Sequence, residues 1–317
     1  MSAGTSSLVG SDLLSISTLD GTQIRSIFDL AAKVKADVGP YRQSLAGLSA
    51  ILVFEKPSLR TKVTFEVGIH NLGGNPVYLD QSASKLGERE SIKDYGKNLE
   101  RWVQCIVARV YSQRALEELA FHAKVPVVNA LSDRFHPCQA LADLFTLREK
   151  FGELKGRKLA FVGDGNNVCH SLMHAATLVG MDMTVVTPEG YAPAMDVTKE
   201  CEKFASASGA KLTISSDVNA VTGHDAVYTD VWVSMGQADE GGKRSAAFRP
   251  YQVNANLMAI ASRGKASPAL FMHCLPAQRG VEVTDEVIDS QASVVYDQAE
   301  NRMHAQNALL LKILKGL

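Results

Sequence analysis

The chain has 317 residues, of which 46% are hydrophobic and 21% charged, and its formal net charge is −1. That length suits two domains of about 150 residues each. The near-neutral charge excludes a nucleic-acid binder driven by whole-surface counterion release, so an anionic ligand must be met by local Arg and backbone N–H groups. No apolar run approaches the roughly 18–20 residues of a membrane span, which predicts no membrane partner. The five cysteines are odd in number and form no Cys-x-x-Cys pair, which fits a reducing cytoplasm better than a disulfide framework. Residues 1–10 are small and polar and lack the basic start and apolar stretch of a signal peptide.

In chain order, the spacing predicts a helix over 18–38, capped by Thr18 or Asp20, with Ile24, Ile27, Phe28, Ala31 and Val34 on one face. A strand over 50–54 leads to a helix over 58–72, stopped by Gly73 and Gly74. Strand 76–79, helix 91–103, strand 105–109, helix 116–122, strand 125–129 and helix 136–151 follow. A second alternation runs through strand 158–162, helix 167–179, strand 182–187, helix 194–208 and strands 211–215 and 226–229. It ends with helix 251–261, strands 269–273 and 294–296, and a terminal helix over 301–314.

Repeated strand–helix alternation predicts an α/β protein with right-handed crossovers. The expected architecture is two domains, each a parallel sheet flanked by helices, with the active site in the cleft between them. The Gly- and charge-bearing stretch 151–157 is the expected boundary. It divides a domain of residues 1–150, joined by the C-terminal helix 301–317, from a domain of residues 151–300.

Ligands of open parallel sheets sit at the carboxyl ends of strands. Five polar motifs fall there. In the first, strand 50–54 runs through Pro57 into a helix whose first turn carries Ser58, Leu59, Arg60 and Thr61. Free N–H groups and the positive dipole end of a helix attract phosphate, and Arg60 adds a cationic fork. A second is Arg109, placed after the apolar run Cys105-Ile-Val-Ala. A strand-end Arg there needs an anion or acceptor nearby. The third, Gly163-Asp-Gly165-Asn166-Asn167-Val168, follows a strand and mimics a dinucleotide fingerprint, with Glu189 at the distance of a ribose-binding acid. Val168 replaces the third glycine and weakens that reading. The Asn pair equally suits an amino-acid site, so a nicotinamide-binding oxidoreductase stays open as the alternative.

The fourth, Asp230-Val-Trp-Val-Ser234-Met235-Gly236, offers a carboxylate for an ammonium group and turn N–H groups for a carboxylate. The fifth, His273-Cys274-Leu275-Pro276, carries a thiol, and the proline biases Leu275 to an extended conformation. Cys274 can be a nucleophile, a metal ligand or a hydrogen-bonding thiol. With His136 and Cys138 a metal site can be drawn, but the spacing matches no zinc pattern, so no metal is expected. His136-Pro-Cys138-Gln139 opens a helix; His136 can donate to a carbonyl oxygen and Gln139 can bind an amide.

Taken together, these motifs resemble those of the carbamoyltransferases along nearly the whole chain. Ser58-x-Arg60-Thr61 resembles the family's carbamoyl phosphate loop, and His136-Pro-x-Gln139 its second shared motif. Asp230…Ser234-Met235-Gly236 and His273-Cys274-Leu275-Pro276 are similar to the ornithine branch, not the aspartate branch. The resemblance implies an enzyme of arginine metabolism that transfers the carbamoyl group of carbamoyl phosphate to the side-chain amine of L-ornithine, giving L-citrulline and phosphate. It implies that Ser58, Leu59 (through its backbone), Arg60, Thr61 and Arg302 bind phosphate, and that Arg109, His136 and Gln139 hold the carbamoyl group. Asn167, Asp230, Ser234 and Met235 would bind the α-amino and α-carboxylate groups of ornithine, with Cys274 and Leu275 beside the reacting amine. Arg109, His136, Asp230 and Cys274 would be the catalytic set. No metal or organic cofactor is implied. A homotrimer, or a multiple of one, is implied, in which the loop 81–90 reaches a neighbouring subunit with Ser82 and Lys85. Leu59 departs from the family pattern, where Thr or Ser is common.

Overall fold

The computed structural model describes residues 7–233 and 242–317. The chain is a two-domain α/β fold whose described residues divide into two compact units. One takes the described residues up to Phe145 together with Glu300–Leu317; the other is Thr146–Ala299.

The first unit opens with α1 (Gly21–Ala36), held at its start by a reciprocal cap. The Asp20 carboxylate accepts from the N–H groups of Thr22 and Gln23, and Gln23 Oε1 accepts from the Asp20 N–H at 2.9 Å. The buried face of α1 carries Ile24, Ile27, Phe28, Ala31 and Val34. Then come β1 (Ser49–Phe54), α2 (Leu59–Asn71), β2 (Asn75–Asp80), α3 (Ile92–Leu99), β3 (Cys105–Arg109), α4 (Gln113–His122), β4 (Val127–Leu131) and α5 (Pro137–Phe151). All four strands are parallel in the order β2-β1-β3-β4, with Leu52 opposite Tyr78 on one side and Val107 on the other. Central β3 is buried throughout, as a parallel strand covered on both faces must be.

The second unit contains β5 (Lys158–Val162), α6 (Asn167–Val179), β6 (Asp182–Val186), α7 (Met195–Ser208), β7 (Leu212–Ser215) and β8 (Ala226–Thr229). After these come α8 (Lys243–Phe248), α9 (Ala255–Ala261), β9 (Leu270–His273) and α10 (Asp285–Ile288). Its five parallel strands run β7-β6-β5-β8-β9. Phe161 on β5 pairs with Val185 on one side and Tyr228 on the other, where the two rings stack at 5.6 Å. The last helix, α11 (Val295–Lys315), leaves this unit and completes the first.

Several elements differ from expectation. Residues 294–296 form no strand: Phe271 and Ser293 make a single parallel bridge, and the chain then enters α11 at Val295. Val294 stays outside the helix, its N–H donating to the Phe271 carbonyl at 3.0 Å, and Val295 opens α11; both are buried. The strand expected at 125–129 is displaced to Val127–Leu131, because Pro126 has no N–H for the ladder; its carbonyl accepts from Ile106 instead. Helix 91–103 stops at Leu99, and α4 starts earlier than expected because Ser112 caps it, its hydroxyl accepting from the Ala115 N–H at 3.2 Å. The expected helix 251–261 is a short 3-10 turn over Arg249–Tyr251 followed by α9, whose cap is Asn254. Helices α8 and α10, of six and four residues, are too short to show a periodic stripe.

Candidate active site

Each sheet has one place where the chain reverses its direction of travel across the strands. Such switch points open a crevice at the strand carboxyl ends. In the first unit the reversal lies between β1 and β3, whose last residues, Phe54 and Arg109, are register partners. In the second it lies between β5 and β8.

Ser58, with extended φ of −162°, caps α2, and its hydroxyl accepts from the Thr61 N–H at 3.2 Å. The first turn of α2 therefore aims its remaining N–H groups at the switch point. The Leu59 side chain is 74% exposed. Thr61 is buried, and its Oγ1 accepts from Arg302 Nη2 at 3.2 Å. Arg302, on α11, is also buried; its Nη1 donates to Gln139 Oε1 at 2.6 Å. Gln139 in turn donates from Nε2 to Asp143 Oδ1 at 2.8 Å.

His136 is buried at the start of α5. Burial first, then the positive fields of Arg302, Arg109 and Arg60, hold its pKa well below the ordinary histidine range. The imidazole is thus neutral, a donor at one nitrogen and an acceptor at the other. Three guanidinium groups around one neutral imidazole make a cradle for a multiply charged anion. The structure so brings together Ser58, Arg60, Thr61, Arg109, His136, Gln139 and Arg302.

Glu55 and Lys56 support this cradle and were not singled out from the sequence. The buried Glu55 carboxylate accepts from the N–H groups of Leu86 and Tyr111, each at 2.6 Å. It thereby ties the loop 81–90 and the end of β3 to β1. Lys56 Nζ lies 4.3 Å from the Tyr111 ring centre, and burial, then Arg109, lowers its pKa. Ser82 and Lys85 are exposed, whereas Leu86 beside them is buried.

In the second unit, Asp230 follows β8 and gathers three donors. Its Oδ1 accepts from the Val231 N–H at 2.8 Å and from the Cys274 thiol at 3.1 Å; its Oδ2 accepts from Asn166 Nδ2 at 2.9 Å. Asn166 also caps α6, while Asn167 Oδ1 accepts from the Val168 N–H at 3.0 Å. Asp230, Asn166 and Cys274 therefore form one acid–amide–thiol cluster, with Asn167 on the adjoining turn.

Leu275 is not extended: its φ is +57°, in the left-handed region. The following proline disfavours right-handed helical backbone, and here the chain avoids it by the left-handed well. Its N–H donates to His273 Nδ1 at 2.8 Å, which fixes the turn. His273 Nε2 faces Glu282 Oε1 at 3.2 Å, so both ring nitrogens are engaged. The ligand atoms of Asp230, His273 and Cys274 lie within 4.8 Å of one another, but this histidine presents no lone pair to a cation. Ser234, Met235 and Gly236 lie outside the described residues.

Arg244 is a further residue the sequence did not flag. It donates from Nη2 to Asp164 Oδ2 and from Nε to the Trp232 carbonyl, and lies against the rings of Tyr191 and Phe248 at 4.8 and 5.2 Å. Burial drives the Asp164 pKa up to about 6; Arg244 opposes this and Asp230 adds to it. Basic residues of a six-residue helix carry no pattern that marks them out.

A parallel α/β enzyme with a built anion cradle at one switch point is the class that this fold and geometry define. Comparison with known proteins narrows it. The carbamoyl-P binding domain of the aspartate/ornithine carbamoyltransferase family matches residues 11–149, and that family's Asp/Orn binding domain matches residues 155–313. The chain belongs to the aspartate/ornithine carbamoyltransferase family. It is 50% identical over 300 residues to the ornithine carbamoyltransferase of Shewanella oneidensis, covering 95% of this chain and 98% of that one. It is 48% identical over 314 residues to that of Pyrococcus horikoshii, covering 98% of each. The solved ornithine carbamoyltransferase of Pyrococcus furiosus superposes with a TM-score of 0.93 at 48% identity, over 98% of this chain and 99% of that one.

Proposed function

We propose that the chain transfers the carbamoyl group of carbamoyl phosphate to the side-chain amine of L-ornithine, giving L-citrulline and phosphate. The observation that carries this is the buried Arg302, which donates to both Thr61 and Gln139 beside the Ser58-capped start of α2, next to the β1/β3 switch point. In this reading the domain of residues 1–150, joined by helix 301–317, binds carbamoyl phosphate, and residues 151–300 bind ornithine. Ser58, the Leu59 backbone, Arg60, Thr61 and Arg302 hold the phosphate. Arg109, His136 and Gln139 hold the carbamoyl group. Asn167, Asp230, Ser234 and Met235 take the α-substituents of ornithine, and Cys274 and Leu275 lie beside its δ-amine.

The neutral δ-amine attacks the carbamoyl carbon, the bond from that carbon to the phosphate oxygen breaks, and the amine's proton leaves with the phosphate as hydrogen phosphate. Negative charge grows on the carbonyl oxygen and then on the departing phosphate. Arg109 and His136 meet the first, and Arg60, Arg302 and the α2 start meet the second. Preorganised donors of this kind contribute roughly 3 kcal/mol each to lowering the barrier. The thiol of Cys274 already donates to Asp230, which suits an orienting group and needs no covalent intermediate. The test is citrulline formation from ornithine and carbamoyl phosphate, with putrescine and N-acetylornithine as competing acceptors. Absence of citrulline under conditions where the chain is folded would refute the reading.

The reading extends to a homotrimer, or a multiple of one, in which Ser82 and Lys85 serve a neighbour's phosphate site. Two features support it: both side chains are exposed on a loop anchored through Leu86, and Leu59, Val63 and Val67 form an exposed apolar stripe four residues apart on α2. Mixing an Arg60 variant with one whose 82–85 segment is glycine should restore part of the activity; no recovery despite proven subunit exchange would overturn it. We assign the protein to the cytoplasm, since its cysteines are all free thiols and four are buried. Among the described residues no helix is long and apolar enough to cross a membrane.

A further inference from the structure

We infer that Asp143 is a positioning residue that makes the site select a carbamoyl group over an isosteric acyl group, by fixing which atom of Gln139 faces the substrate. This rests on the proposed binding of carbamoyl phosphate at the first unit's switch point. Arg302 can only donate and does so to Gln139 Oε1 at 2.6 Å. The Asp143 carboxylate can only accept, and it accepts from Gln139 Nε2 at 2.8 Å. The two partners therefore define the amide's orientation from opposite ends. Asp143, Gln139, Arg302 and Thr61 are each at most 2% exposed, so water does not compete for these positions.

Asp143 lies four residues after Gln139 on α5, which brings the two side chains onto one face. Arg302 takes one lone pair of Gln139 Oε1 and leaves the second for a ligand. A carbamoyl NH2 can donate to that oxygen. An acetyl CH3, of the same size, cannot. A site built around a buried acceptor discriminates strongly against a ligand lacking the donor. With the Asp143 acceptor removed, Gln139 Nε2 loses its buried partner, and the side chain is free to leave the orientation that presents Oε1.

The test compares Asp143→Leu, Asp143→Asn and the parent chain. Three quantities are measured: KM for carbamoyl phosphate in citrulline formation, Ki for acetyl phosphate, and Ki for inorganic phosphate. In Asp143→Leu, KM for carbamoyl phosphate should rise about tenfold to hundredfold. Both inhibition constants should change less than about twofold, because neither ligand uses the Gln139 acceptor. Asp143→Asn, whose amide oxygen can still accept from Nε2, should restore most of the selectivity. Should the leucine variant fail to fold, Asp143→Thr, too short to reach Nε2, gives the same readings. Equal losses for all three ligands, an unchanged ratio of carbamoyl to acetyl phosphate affinity, or failure of Asp143→Asn to rescue would overturn the inference. A parent chain that binds inorganic phosphate but forms no citrulline would instead remove the proposed function itself, and this inference with it.

Discussion

A methyl group added at Gly165 would test the geometry of the second unit's switch point. An ideal Cβ there lies 2.3 Å from Pro193 N, 2.6 Å from Ala192 C and 2.7 Å from Pro193 Cα. These are backbone atoms, roughly 1 Å inside van der Waals contact, and no side-chain rotation relieves them. The Gly165 N–H also donates to the Tyr191 carbonyl at 2.9 Å, so the two segments are already laced together. Overpacking of this kind costs about 1–3 kcal/mol, or a fall in melting temperature of roughly 2–12 °C for a unit of this size. The displaced turn carries Asn166, which both caps α6 and donates to Asp230. A shift near 1 Å at such a point lowers turnover by up to about a hundredfold. The assay is a thermal melt together with kcat and KM for ornithine. Gly190→Ala is the control: φ there is +86° with nothing within 4 Å of a Cβ, so it adds left-handed strain of about 1–2 kcal/mol but no clash, and should leave the kinetics alone. A Gly165→Ala protein melting within about 1 °C of the parent, with unaltered KM for ornithine, would show that no such clash exists.

Arg60→Ala should weaken carbamoyl phosphate binding and lower turnover by orders of magnitude while leaving the fold intact, since Arg60 is only half-buried at the α2 start; near-parental kinetics would remove it from the cradle. Cys274→Ser should keep measurable activity and raise KM for ornithine, because a hydroxyl can still donate to Asp230; a trapped carbamoyl-thioester would contradict this. His136 gives a pH signature in stability. Its folded pKa is depressed below the usual value of about 6.5, so the unfolded chain takes up a proton that the folded chain refuses. Its contribution is therefore complete above about pH 6.5 and declines as pH falls towards the lower folded value. Replacing His136 with Gln should flatten the dependence of melting temperature on pH in that acidic window, as measured by melts across it.

Much of this architecture is local in sequence. Buried parallel strands read as apolar runs, and β3, β5 and β8 stand where their runs predict. Arg109, Asp230 and Cys274 could be singled out because each stands at the end of such a run, and Ser58 and Asn167 because each lies on the short turn that leads from one into a helix. What the chain hides is pairing across distance. Arg302 donates to Thr61 and Gln139, residues 241 and 163 positions away, so its helix alone carries no sign of the contact. Asp143 looks like an ordinary helical acid until the Gln139 amide is seen against it. Glu55 reads as a loop carboxylate, although it gathers two backbone N–H groups from elsewhere. Leu275 was legible as constrained but not as left-handed, because its hydrogen bond to His273 decides which well it occupies.

Helix α11 imposes an order of events on the chain as it is made. The cradle needs Arg302, yet Thr61 and Gln139 are synthesised before the whole of the second unit and Arg302 after it. A ribosome-bound chain therefore cannot present a finished cradle while the second unit is still being translated. Closing a 241-residue loop in a disordered chain carries an entropy cost that grows with the logarithm of its length. If the second unit folds first, the loop to be closed is shortened to the folded unit and its connections. Completion of the cradle then follows that folding event, so unfolding the second unit by mutation should cost the first unit its ligand even where no residue of the cradle has changed.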